Sequence, residues 1–147
     1  MTDCEAVKFK VPGEPQGKGR ARIGKVGNFA RMYTPAKTVA YESLVALAAQ
    51  DAMQGRALIT GSVLIELLIV HAIPQSMSKK RKALALAGKI GCRKKPDTDN
   101  VLKAICDACN GVVWKDDVQA TDGYFRRRWG ETPGVHVRIV PLPDDEL

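Results

Sequence analysis

The segment Ser62 to Ala72 is β-branched and apolar on both of its faces. A strand with one wet face alternates apolar and polar residues, so this composition predicts a central strand with neighbours on both sides. Its apolar stretch, Val63 to Ile73, is interrupted by Glu66 and His71 and is too short to span a membrane. The chain therefore has to assemble a sheet around this strand and cover it.

The remaining elements follow from local signals. Ala6 to Val11 reads as a short first strand, and Pro12 to Met32 as a glycine-rich basic loop. Thr34 and Pro35 read as the N-cap and first residue of a helix. Val39, Leu44, Val45, Leu47, Ala48 and Met53 then recur at helical spacing, and Gly55 ends the helix. Ser76 to Gly88 reads as a short basic helix. A second strong helix runs from Val101 to about Asn110, with Gly111 as its left-handed C-terminal residue. Two strands close the chain, one within Val118 to Trp129 and one at Val135 to Val140, where apolar residues alternate with His136 and Arg138. The sum is a single α+β domain over residues 1–147: a mixed sheet of about four strands packed with two main helices.

Charge narrows the partner. The net charge is +7, and three of the 16 acidic residues, Asp144, Asp145 and Glu146, sit in the last four positions. Without them 13 acidic residues face 23 basic ones, a body charge of +10. Such a body suits a polyanion. The N-terminus has no charged-then-apolar secretory pattern, so a cytoplasmic location is expected, with Cys4, Cys92, Cys106 and Cys109 as free thiols.

The most informative stretch runs from Lys95 to Asp122. Asp97 and Asp99 stand two apart just before a helix, Lys103 lies one turn beyond Asp99, and Asp116 and Asp117 follow where the chain returns. Hydrolysis of a phosphodiester needs an activated water and stabilised charge, which Mg²⁺ held by hard carboxylate oxygens supplies; a nearby lysine stabilises developing charge. The plainer alternative stays open. Aspartates are favoured at helix N-termini, Lys103 with Asp99 or Asp107 forms an ordinary surface pair worth about 0.3–0.5 kcal/mol, and Asp116-Asp117 forms a solvated turn.

These residues resemble the RusA family of Holliday-junction resolvases. The likeness is carried by Lys95-Pro96-Asp97-Thr98-Asp99-Asn100 with Lys103 on the following helix, then Asn110-Gly111-Val112-Val113-Trp114-Lys115-Asp116-Asp117-Val118-Gln119. Pro12-Gly13-Glu14-Pro15, Lys18-Gly19-Arg20-Ala21-Arg22 and Tyr33-Thr34-Pro35-Ala36-Lys37-Thr38 are similar to its phage-type branch. The resemblance implies a homodimer that makes paired symmetric nicks in four-way DNA junctions with Mg²⁺, Mn²⁺ being a possible substitute. It implies that Asp97, Asp99 and Asp117 bind metal, that Asp116 supports or shares it, and that Lys103 is catalytic. Lys18, Arg20, Arg22, Lys79, Lys80, Arg81, Arg93, Lys94 and Lys95 are expected on or near the DNA face, and of Arg126, Arg127 and Arg128 at most two point the same way.

The competing function is a branched-DNA-binding protein without catalysis, its aspartates structural. A zinc module is a weaker third, because Cys106-x-x-Cys109 lies within a helix and lacks a second ligand pair. His71 and His136 read as strand residues, and Trp114 as core or dimer surface.

Overall fold

The structure, a computed structural model, describes residues 5–19, 22–33 and 35–143. Thr34, Cys4 and the acidic tail lie outside the described residues. The chain runs β1 (Val7–Pro12), β2 (Arg22–Val26), β3 (Phe29–Tyr33), α1 (Ala36–Met53), β4 (Val63–Ala72), α2 (Lys79–Leu86), α3 (Thr98–Cys109), a 3₁₀ turn (Asp117–Gln119), β5 (Ala120–Gly130) and β6 (Gly134–Pro141). The main sheet has the order β1-β6-β4-β5. β4 pairs antiparallel with β6 and parallel with β5, so the sheet is mixed and β4 is internal, as its composition predicts.

One face of this sheet is the core. Val63, Ile65, Leu67, Ile69 and His71 of β4 are buried, while Leu64, Glu66, Leu68 and Val70 on the opposite face are half-buried. α1 and α3 pack on each other, and their buried residues join those of β1, β4 and β6 in one cluster. α3 contributes Val101, Ala104, Ile105, Cys106, Ala108 and Cys109, an apolar stripe at helical spacing. The thiols of Cys106 and Cys109 are pushed up to about 12 by burial, so they are inert core groups. Trp114 is fully buried and donates its Nε1–H to Asn110 Oδ1 at 2.7 Å. Across the open face, Glu66 and Arg138 sit opposite each other on β4 and β6 and form an ion pair at 3.0 Å.

Three features differ from the sequence reading. The stretch read as loop contains the β2–β3 hairpin, closed by Gly27-Asn28, with Gly27 at φ +62°. Glycine at the first central position matches the turn that twists with its strands. The alternation is hard to see because Ile23, Phe29 and Met32 are all exposed and no core face marks the period. α1 forms as expected but buries Thr38, Tyr41, Val45, Ala49 and Met53, leaving Val39, Leu44 and Leu47 exposed. Pro35 is the N-cap of α1, not its first turn. At the other end Gln54 and Gly55 take positive φ, so Gly55 does terminate the helix. No helix among the described residues is long and apolar enough to cross a membrane.

Candidate active site

Every acidic candidate lies in the excursion between β4 and β5. Parallel strands cannot be joined by a hairpin, so the chain must cross over, and α2, α3 and the 3₁₀ turn are that crossover. Asp97 is the N-cap of α3; its Oδ1 accepts the Asn100 amide at 3.0 Å. Asp99 stands in the first turn, where negative charge is favoured. Lys103 follows on the same helix, with its Nζ 3.1 Å from Asp107 Oδ1.

The second aspartate pair is set by a capping box. Asp116 Oδ1 accepts the Val118 amide at 3.1 Å, and Gln119 Oε1 accepts the amides of Lys115 (3.0 Å) and Asp116 (3.2 Å). Gln119 Nε2 donates to the carbonyls of Ile59 (2.7 Å) and Gly61 (3.0 Å), fastening the turn to the segment before β4. The Val118 amide holds the Asp116 carboxyl below the usual carboxylate range. Asp117 is shifted upward, first by its hydrogen bond with Asp116 and then by burial, while Lys103 pulls it down. Asp117 and Lys103 thus feel each other's charge across the gap between the turn and α3.

The aspartates are presented as two pairs. Among the described residues no three His, Cys, Asp or Glu side chains form a group able to hold an ion between them. Asp97, Asp99 and Asp116 are exposed and Asp117 is half-buried.

A strap from β1 lies over the start of α3. Glu14 ties its beginning: Oε1 accepts the Ala72 amide at 2.8 Å and Oε2 accepts from His71 Nδ1 at 3.1 Å. At Gly17 a Cβ would stand 2.9 Å from Pro96 Cβ and 3.0 Å from Asn100 Cβ, so only glycine lets the strap lie this close. The Lys18 amide donates to the Asn100 carbonyl at 3.2 Å, and the Gly19 amide to Thr38 Oγ1 at 3.0 Å.

Arg127 supports the other side. It is on the β5 face opposite to Arg126 and Arg128, and its Nη2 donates to the carbonyls of Lys94 and Pro96, the latter at 3.0 Å. Those carbonyls belong to the residues just before Asp97.

Of the basic candidates, Lys79, Lys80 and Arg81 are exposed on α2, capped by Ser78, and Arg93, Lys94 and Lys95 are exposed ahead of α3. Lys94 Nζ lies 3.8 Å from Glu14 Oε2. Lys18 is engaged by carboxylates: Nζ is 2.5 Å from Glu42 and 3.1 Å from Asp107 Oδ2. Arg20 and the side chain of Arg22 lie outside the described residues. Sequence reasoning named Glu14, Gln119 and Arg127 within longer stretches but gave none of them a role at the site. Only Gln119 had a local signal, the Asp-x-x-Gln spacing of a capping box.

The sequence profile of the family described as endodeoxyribonuclease RusA matches residues 12–140, which spans the strap, both aspartate pairs, β4, β5 and all of β6 but Pro141, and leaves out β1 apart from Pro12. The chain belongs to the RusA endodeoxyribonuclease family. It is also similar to the Bacillus subtilis (strain 168) protein described as "Uncharacterized protein YqaN", with 36% identity over 139 residues that cover 93% of this chain and 96% of that protein. A RusA chain is a DNA-cutting chain by family, so the acidic crossover and the basic surface are to be read together.

Proposed function

We propose that this RusA-family chain is a Mg²⁺-dependent, structure-selective endonuclease that acts on four-way DNA junctions as a homodimer in the cytoplasm, with Mn²⁺ able to replace Mg²⁺. The observation that carries the reading is Asp97 and Asp99 at the head of α3, with Lys103 one turn on and Asp117 within its electrostatic reach. A protein that only binds a polyanion gains nothing from four aspartates beside its basic surface.

The donor chemistry suits the metal, although the two aspartate pairs do not close into one ion-holding group as they stand. All candidate donors are carboxylate oxygens, the hard ligands Mg²⁺ takes, and it is commonly held by one or two carboxylates together with substrate phosphate and water. Asp116 and burial both disfavour the charged form of Asp117, an effect a bound cation would offset. Asp97, Asp99 and Asp117 would hold it, with Asp116 in support, and when bound it supplies a water activated for attack and charge for the phosphate. The side chains then have separate tasks. Lys103 offers its ammonium to the negative charge that grows on the phosphate oxygens. Lys79, Lys80, Arg81, Arg93, Lys94 and Lys95 hold the backbone and set the register of the scissile phosphate. Two copies related by a two-fold axis match the near two-fold symmetry of a junction and give paired nicks.

The deciding experiment is incubation with an immobile four-way junction and a linear duplex of matched sequence, with and without Mg²⁺, beside Asp99→Asn. Paired symmetric nicks confined to the junction, dependent on Mg²⁺ and absent in the variant, are expected. Binding without cutting across Mg²⁺, Mn²⁺ and varied junction sequences would sink this reading and leave a non-catalytic junction binder.

A further inference from the structure

Lys103 is more than half exposed, and on its own its pair with Asp107 is the kind of helix-surface contact that fixes little. What distinguishes it is what lies on the far side of Asp107. Asp107 Oδ1 takes Lys103 Nζ at 3.1 Å, while Oδ2 takes Lys18 Nζ, also at 3.1 Å. Lys18 comes from the strap, 89 positions earlier, and its ammonium is held in turn by Glu42 of α1 at 2.5 Å. Its own amide is fixed to Asn100, so the strap is stapled to α3 at two points about two turns apart. The side chains of Lys18, Glu42 and Asp107 are each less than one third exposed. The chain of charges Glu42, Lys18, Asp107, Lys103 therefore links three elements, and only its last member is free to reach outward.

We infer that Lys18 and Asp107 are positioning residues for Lys103. Lys18 occupies one oxygen of Asp107 and fixes the carboxylate plane; the other oxygen then holds the Lys103 ammonium on the side of α3 that faces Asp117. This assigns Lys18 to the inside of the site, not to a phosphate, and rests on the nuclease reading for its catalytic consequence. A placement error of about 1 Å can cost on the order of a hundredfold in rate, so side chains that hold Lys103 in place matter to turnover.

The two roles for Lys18 predict opposite behaviour of Lys18→Met. If Lys18 grips a phosphate, its removal weakens binding and lowers the salt slope, with the rate at saturating DNA unchanged. If Lys18 positions Lys103, its removal lowers the single-turnover rate at saturation, roughly tenfold or more, with junction affinity held. Asp107→Asn gives the sharper sign: removing a negative charge near bound DNA favours binding, so a slower rate with equal or tighter binding has no explanation in weakened affinity. Lys18→Arg keeps the charge and recovers most of the rate, and Lys18→Met with Asp107→Asn together cost about as much as either alone. Side-chain NMR of ¹³C-lysine-labelled protein without DNA reads the geometry directly: the Lys103 Cε resonance moves in both Lys18→Met and Asp107→Asn. An unmoved resonance, or unchanged saturated rates in folded variants, overturns the proposal. If the wild type cuts no junction while the resonance moves, the nuclease reading falls and the positioning network stands.

Discussion

Gln119 Oε1 accepts the backbone amide of Asp116 at 3.2 Å while its Nε2 donates to Ile59 and Gly61, so one side chain aims the second aspartate pair. Gln119→Glu keeps the acceptor but sets a carboxylate oxygen against two carbonyls. It should lower stability by about 1–3 kcal/mol and slow junction cleavage more than Gln119→Ala does. Denaturant midpoints and single-turnover rates check this; a Glu variant equal to wild type in both would show that the turn needs no such fastening.

The strap passes too close to α3 for any side chain at position 17. Gly17→Ala should cost about 1–3 kcal/mol and raise hydrogen exchange at Lys18, whose amide bonds Asn100. Gly91 is the control, because a Cβ there meets nothing within 4 Å. Equal melting temperatures for the two alanine variants would remove the steric argument.

Arg127 and Arg126 are adjacent in sequence and opposite in role. Arg127→Met should lose roughly 1.5–3 kcal/mol by freeing the carbonyls of Lys94 and Pro96, whereas Arg126→Met stays within about 0.5 kcal/mol. Arg127→Lys should rescue only in part, since one ammonium does not reproduce the planar fork. Urea unfolding of the three variants decides, and equal losses at 126 and 127 would refute the distinction.

His71 is fully buried, donates from Nδ1 to Glu14, meets the edge of Trp129, and has an Nε2 with no partner. Burial lowers its pKa, Glu14 works against that, and Arg127 and Lys94 add to the lowering. The folded chain thus refuses a proton that the unfolded chain takes up below about pH 6.5, and stability falls as pH drops through that value and on toward the lower folded one. Melting temperature should therefore decline between pH 7 and pH 5 more steeply in wild type than in His71→Gln. Parallel declines would mean the ring is not held neutral.

Legibility followed burial. β4, α3, β6 and the left-handed Gly111 were readable because each has one environment imposed on a regular period or turn. The β2–β3 hairpin was not, because with both faces wet its residues carry no alternation, and only Gly27-Asn28 marked it. In α1 the period was visible but its phase was not: Thr38 and Ala49 are buried while Leu47 is out, a choice made by α3 and β1 and not by hydropathy. The aspartates and Lys103 stood out as candidates because they are close in sequence. Lys18, Glu14 and Arg127 owe their contacts to chain segments 24 to 89 positions away, and no local pattern announces such partners.

The parallel pairing of β4 with β5 has a consequence for how such chains diversify. Both aspartate pairs, Lys103 and most of the exposed cations ride on the single excursion that this pairing demands, while the other strands meet through short or antiparallel returns. Lengthening or recasting residues 73–119 would retune what is cut without renegotiating strand order. The sheet serves as a chassis, and the crossover as its exchangeable tool head.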